Sequence, residues 1–137
     1  MAFVLHPRLM ADTAVIADWS LSRVLLMNDK RYPWIVLVPR RTGITEIFEL
    51  DEPARVSLMA EIARASRRLK EWAKPRGAAD KINVGAIGNL VPQLHIHVVA
   101  RCAGDAAWPA PVWGKGEAVH YGAAELPRLV EELRDFL

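Results

Sequence analysis

Leu58, Ile62, Ala65, Leu69 and Trp72 recur at alternating steps of four and three residues, and no other feature constrains the fold as tightly. That spacing is the period of an α-helix and sets all five side chains on one stripe. Asp51 offers a capping carboxylate just before it. Pro53 is tolerated in a first turn, where the amides have no intrahelical partner, and Pro75 with Gly77 closes the element. A long helix with one apolar face must bury that face against another layer.

The flanking sequence supplies the layer as short strands. His6-Pro7-Arg8-Leu9 opens a short helix, after which Thr13 to Asp18, Ser22 to Met27 and Trp34 to Val38 read as strands. Their short connections, such as Asn28-Asp29-Lys30, suggest an antiparallel meander. Beyond the helix, Lys81 to Ala86 and Leu94 to Ala100 read as two more strands. A Pro/Trp-rich segment from Trp108 to Gly114 follows, and then Leu126, Leu129, Val130, Leu133 and Phe136 share one face of a C-terminal helix. The pattern predicts an α+β fold: an antiparallel sheet of about five strands, a long central helix and a C-terminal helix. With 137 residues, no repeat and no linker-like tract, residues 1–137 are expected to form a single domain.

Composition excludes several function classes. A hydrophobic fraction of 52% with 25% charged residues is that of a globular chain, and a net charge of +2 gives no argument for nucleic acid. No apolar run approaches the roughly 18 residues of a membrane span. Met1 to Leu9 lacks the basic and long apolar stretches of a secretory signal, and the single Cys102 excludes an intrachain disulfide or a CxxC site. The expectation is a cytoplasmic protein.

Chemistry concentrates in Gly88 to Arg101, which reads Gly-Asn-Leu-Val-Pro-Gln-Leu-His-Ile-His-Val-Val-Ala-Arg. On a strand, Leu94, Ile96 and Val98 would face a core while Gln93, His95 and His97 line the other face. Residues two apart on a strand are roughly 6.5–7 Å apart, so two imidazoles can address neighbouring oxygens of one polyphosphate. A neutral imidazole is a competent nucleophile and can later accept a proton. His-x-His alone also admits two other readings. One is a pair of partly buried hydrogen-bonding histidines. The other is a zinc or iron site, with His120 or Cys102 as a third ligand, although Val98 to Cys102 offers no carboxylate.

The wider pattern resembles the histidine triad (HIT) family signature, in which three histidines alternate with apolar residues. His95 and His97 match the second and third histidines, and Gln93 stands at the first. Gly88-Asn89 matches the family's preceding Gly-Gln. Val24 to Asn28 resembles its nucleotide-pocket strand, and Trp34 to Pro39 with Arg40-Arg41 its next strand and basic turn.

The resemblance implies a nucleotide hydrolase or nucleotidyl transferase that cleaves at the α-phosphate of a phosphoester, phosphoramidate or dinucleoside polyphosphate. His95 would form a covalent nucleotidyl intermediate, His97 and Asn89 would donate to phosphate oxygens, Gln93 would belong to the catalytic set, and Asn28 would hold the ribose. It implies neither cofactor nor metal, and a homodimer as the usual assembly. Besides Gln93, the chain departs from the family at Thr42 and at Trp34, where histidines are common. Those departures motivate a rival reading, a nucleotide-binding module with little turnover. Read without the resemblance, Asn28 and Asn89 are turn residues, His6 a surface residue, and Arg101 structural or on the rim; His120 is a surface residue or a contact to the site, and Trp108 and Trp113 are packing groups or a cover over the site or a dimer partner.

Overall fold

The structure, a computed structural model, describes residues 2–137. Helix α1 (Pro7–Asp12) leads into strands β1 (Thr13–Asp18), β2 (Ser22–Met27) and β3 (Trp34–Pro39). The long helix α2 (Glu52–Ala73), strands β4 (Lys81–Gly85) and β5 (Ile96–Arg101), and helix α3 (Glu125–Phe136) follow. The sheet is antiparallel throughout, in the order β1-β2-β3-β5-β4. This is the expected α+β arrangement. No helix among the described residues is long and apolar enough to cross a membrane.

The α2 stripe packs as its spacing requires. The Asp51 carboxylate accepts from the Ala54 amide at 2.9 Å and starts the helix. Leu58, Ala65, Leu69 and Trp72 are buried against Ile35, Leu37, Leu94, Ile96 and Val98, with Ile62 partly buried beside them. Each fully buried Leu or Ile contributes about 1.5–3 kcal/mol. A turn of 3-10 helix, Lys74–Arg76, and Gly77 at φ +75° end the element. One buried residue of α2 outside the stripe is charged. Glu61 reaches the β1–β2 turn, where its carboxylate accepts from the Leu21 and Ser22 amides at 3.0 Å each.

The opposite sheet face is also covered. Leu25, Val36, Val38 and Val99 pack there against Leu5 and Leu9 of the N-terminal arm and Ala107 and Val112 of the Pro/Trp-rich segment. Burial on both faces explains why β3 reads as a continuous apolar run rather than an alternating one.

Four strand limits differ from expectation. β3 runs on through Pro39, β4 stops at Gly85, and β5 begins at Ile96 instead of Leu94 and ends at Arg101 instead of Ala100. The β3–β5 ladder ends at Leu37↔Ile96. Pro39 has no N–H to carry it on opposite Leu94. The Leu94 amide bonds instead to the Ile44 carbonyl at 3.0 Å, so Gln93 to His95 form a bent lead-in rather than strand.

Candidate active site

His95 and His97 come together at the head of β5, each only 6% exposed, with ring centroids 4.9 Å apart and planes at 77°. Their hydrogen bonds set opposite tautomers. The Nδ1 of His95 lies 2.7 Å from the Gln93 carbonyl oxygen. A carbonyl can only accept, so Nδ1 carries the proton and the Nε2 lone pair is available. His97 is the reverse. The Trp34 indole N–H, which can only donate, reaches His97 Nδ1 at 3.0 Å. A neutral His97 therefore carries its proton on Nε2 and is a donor there.

Burial, and secondarily the neighbouring His95, push the His97 pKa down to about 3. The ring is neutral across the physiological range. Trp113 packs edge-on against it at 5.6 Å, and Trp34 does so from the other side at 5.6 Å. Gly85, opposite His97 in the β4–β5 register, leaves room for that packing, since a Cβ there would lie 3.1 Å from the Trp113 ring. Arg101, 1% exposed, holds the segment that delivers Trp113. Its guanidinium donates to both oxygens of Asp105 at 2.7 and 2.8 Å, to Asn83 Oδ1 at 2.9 Å and to the Ala110 carbonyl at 2.9 Å. Trp108 lies beside the same guanidinium rather than on the histidines.

A cleft of about 570 Å³ opens onto both histidines, and Asn28, Gly88 and Asn89 line it. Asn28 follows β2, and its side-chain oxygen accepts from the Tyr121 amide at 2.9 Å. Asp29 is buried beside it. Burial favours its protonated form, but Arg31, together with the Arg31 and Val119 amides, outweighs this and holds the carboxyl below its usual range. The Arg31 guanidinium also donates to the Lys115 carbonyl at 2.8 Å, so residues 115–121 clasp the β2–β3 turn and wall the cleft. Exposed His120 lies on that wall.

Gln93 behaves differently from the other residues of the motif. Its side-chain oxygen accepts from the His6 amide at 2.8 Å and its nitrogen donates to the Val4 carbonyl at 2.9 Å. The carboxamide thus ties down the N-terminal arm, while the same residue's backbone carbonyl orients His95. It borders a second, smaller cleft on the other side of His95 and not the larger one. Among the described residues no group of three or more His, Cys, Asp or Glu side chains gathers as a cation site, and neither His120 nor Cys102 forms one with the pair.

In the sequence Trp34 stands out only as a departure from the family pattern, whereas Trp113 reads as a packing group or a cover over the site, and the structure sets it against His97. The signal for Trp34 is its register. It lies two residues from Val36, which pairs with His97, so the indole and imidazole are diagonal neighbours on one face. That relation becomes legible only once β3 is known to adjoin β5.

The fold and this pair of oppositely polarised imidazoles define a small α+β protein with two buried histidines at the head of an interior strand that open onto a cleft. The HIT domain family model matches residues 8–104, and the chain belongs to that family. A histidine triad protein from Bradyrhizobium japonicum superposes with a TM-score of 0.92 at 49% identity, covering 99% of this chain and 98% of its own. Histidine triad proteins from Marinobacter aquaeolei (TM-score 0.91, 43% identity, 100% and 97% covered) and Sinorhizobium meliloti (0.90, 41%, 98% and 97%) are similarly close. Curated relatives in two strains of Mycobacterium tuberculosis, both named AP-4-A phosphorylase, are 30% identical over 112 residues. That match covers 77% of this chain but 53% of the relatives, so the chain spans about half their length.

Proposed function

We propose that the protein cleaves nucleoside phosphoester, phosphoramidate or polyphosphate bonds at the α-phosphorus, through a nucleotidyl group carried on His95. The observation that carries the reading is the pair of opposite tautomers: a lone pair on His95 Nε2 beside an N–H on His97 Nε2. In the first step His95 Nε2 attacks phosphorus, the P–N bond forms, and the bond to the leaving group breaks with its electron pair. His97 donates to a non-bridging oxygen as charge builds on it. Water then attacks the same phosphorus, the P–N bond breaks, and nucleoside monophosphate leaves.

Asn89 adds a phosphate donor and Asn28 a ribose contact, both from the larger cleft. The name of the mycobacterial relatives supports a nucleotide as substrate. A homodimer in the cytoplasm completes the proposal. β4 ends the sheet with an open edge, on which Val84 is 47% exposed.

The second reading, binding with little turnover, draws on Gln93, whose carboxamide is spent on the arm and brings no titrating group to the reaction. Assaying a panel of nucleoside 5′-phosphoesters and phosphoramidates separates the two. Release of nucleoside monophosphate should be abolished in His95→Ala, with monophosphate affinity held within about tenfold. Near-full activity in that variant would overturn the assignment of the nucleophile. Monophosphate binding without turnover of any substrate would favour the second reading.

A further inference from the structure

Arg101 carries the most deeply buried charge among the described residues, and no step of the proposed reaction uses it. Its own hydrogen bonds hold the Asp105 carboxyl below the usual carboxylate range, so both partners are ionised. A buried ion pair is a poor source of stability, because desolvation offsets most of the attraction. What a guanidinium fork supplies is geometry, and here it fixes where the chain goes after β5. Besides Arg101, the Asp105 carboxylate accepts from the Cys102, Ala107 and Trp108 amides at 3.3, 3.2 and 2.8 Å, which folds the turn onto the strand end. The bond from Arg101 to the Ala110 carbonyl then sends the chain back over β5. On that strand face Arg101, Val99 and His97 follow one another two residues apart. Ala107 and Val112 pack in one cluster with Val99, and Trp113 lands on His97. The other wall of His97 leads back to the same guanidinium. The Tyr32 ring centre lies 5.5 Å from it and 6.2 Å from the Trp34 ring, edge-on, and Trp34 donates to His97.

Resting on the proposed function, we infer that Arg101 is a positioning residue of the active site: through Asp105 and Trp113 on one side, and Tyr32 and Trp34 on the other, it holds His97 in the orientation from which Nε2 donates to the phosphoryl oxygen. Burial is the main reason that the His97 ring resists protonation, and Trp113 makes one side of its cover. If the returning segment loosens, water reaches the ring and its charged form becomes less costly. A proton then added at Nδ1 displaces the Trp34 N–H, which needs an acceptor there. Among titratable groups only His95, on the same strand, acts on the protonation of this ring. Trp34 of β3, Gly85 of β4 and Trp113 bring no charge to it. Arg8, Asp12, Asp29, Arg31, Lys115 and His120 line the cleft that the ring shares.

NMR titration of the histidine rings in the full chain reads this directly, alongside turnover of nucleoside 5′-phosphoramidates. In the natural chain the His97 signals should stay flat between about pH 8 and 5. Arg101→Lys keeps the charge but not the fork, and should raise the proton affinity of His97 at least about tenfold. The same variant should lower kcat about tenfold with KM within about twofold, because the lost support acts on a bond made in the transition state. Trp113→Leu, with the ion pair intact, should reproduce the ring titration. Where Arg101→Lys does not fold, Asn83→Ala removes one acceptor of the same guanidinium and should raise the His97 proton affinity at least about twofold. Lower stability alone leaves the native ring as it is. An unmoved titration in the folded variants would therefore overturn the inference and leave Trp113 to the Arg31 contact at the Lys115 carbonyl. An unchanged kcat in a variant whose ring does titrate would overturn the link to catalysis. A natural chain that turns over none of the substrates would sink the proposed function instead, and the ring titration would still decide whether Arg101 positions His97.

Discussion

At the scale of single residues, the site depends on two hydrogen bonds that fix which nitrogen of each imidazole carries a proton. Nitrogen-15 NMR of the histidine rings should find His95 protonated at Nδ1 and His97 at Nε2, and Trp34→Phe should release only the second preference. A shared tautomer in the natural protein would contradict the division of roles. His97 also couples the site to stability. With a folded pKa of about 3, against 6.5 for a free ring, it stays unprotonated where the unfolded chain binds a proton. Its contribution is therefore full above pH 6.5 and is lost as pH falls, by about 1.4 kcal/mol per unit down to about pH 3. Urea midpoints at pH 6.5 and 5, above the range where paired carboxylates titrate, should show the decline, and His97→Gln should flatten it. Gln93 makes a third case. Gln93→Ala frees the arm from Val4 to His6, so amide exchange there should quicken while the His95 tautomer, set by a backbone carbonyl, persists.

At the scale of elements, the least expected support is the buried carboxylate on α2. Glu61→Ala would strand the Leu21 and Ser22 amides, each losing its acceptor in the interior. A loss of about 2–4 kcal/mol is expected from two such groups, read from denaturant unfolding. A change below about 0.5 kcal/mol would mean that water replaces the carboxylate.

Much of this architecture was legible beforehand. The stripe from Leu58 to Trp72 located α2, and the runs 13–18 and 22–27 located β1 and β2, because periodicity and turn chemistry are local signals. His95 and His97 stood out for the same reason. The role of Glu61 was hidden, since a charged residue at a helical position reads as solvated surface until the β1–β2 turn is known to lie above it. The start of β5 was misplaced because the Leu94 amide finds the Ile44 carbonyl, a partner 50 residues away that no local pattern shows. Alternation along the motif sets Gln93 on the face of the two histidines. Its bonds to Val4 and His6 depend on where the N-terminal arm crosses the sheet.

At the scale of the whole molecule, both sheet faces are covered, and His95 and His97 sit where the second cover, made by the arm and the Pro/Trp-rich segment, leaves the head of β5 open. One edge of the sheet stays unpaired at β4. Sedimentation equilibrium should find a dimer, which a Val84→Lys substitution on that edge weakens. A monomer at every concentration would contradict the proposed assembly. The central claim concerns the reaction as a whole: phosphorus is displaced twice, first by His95 and then by water. The stereochemical course tests it most directly, using a nucleoside 5′-ester made chiral by an α-phosphorothioate and hydrolysed in heavy-oxygen water. Two in-line displacements predict retention of configuration at phosphorus. Inversion would mean that water attacks directly and that His95 never carries the nucleotide.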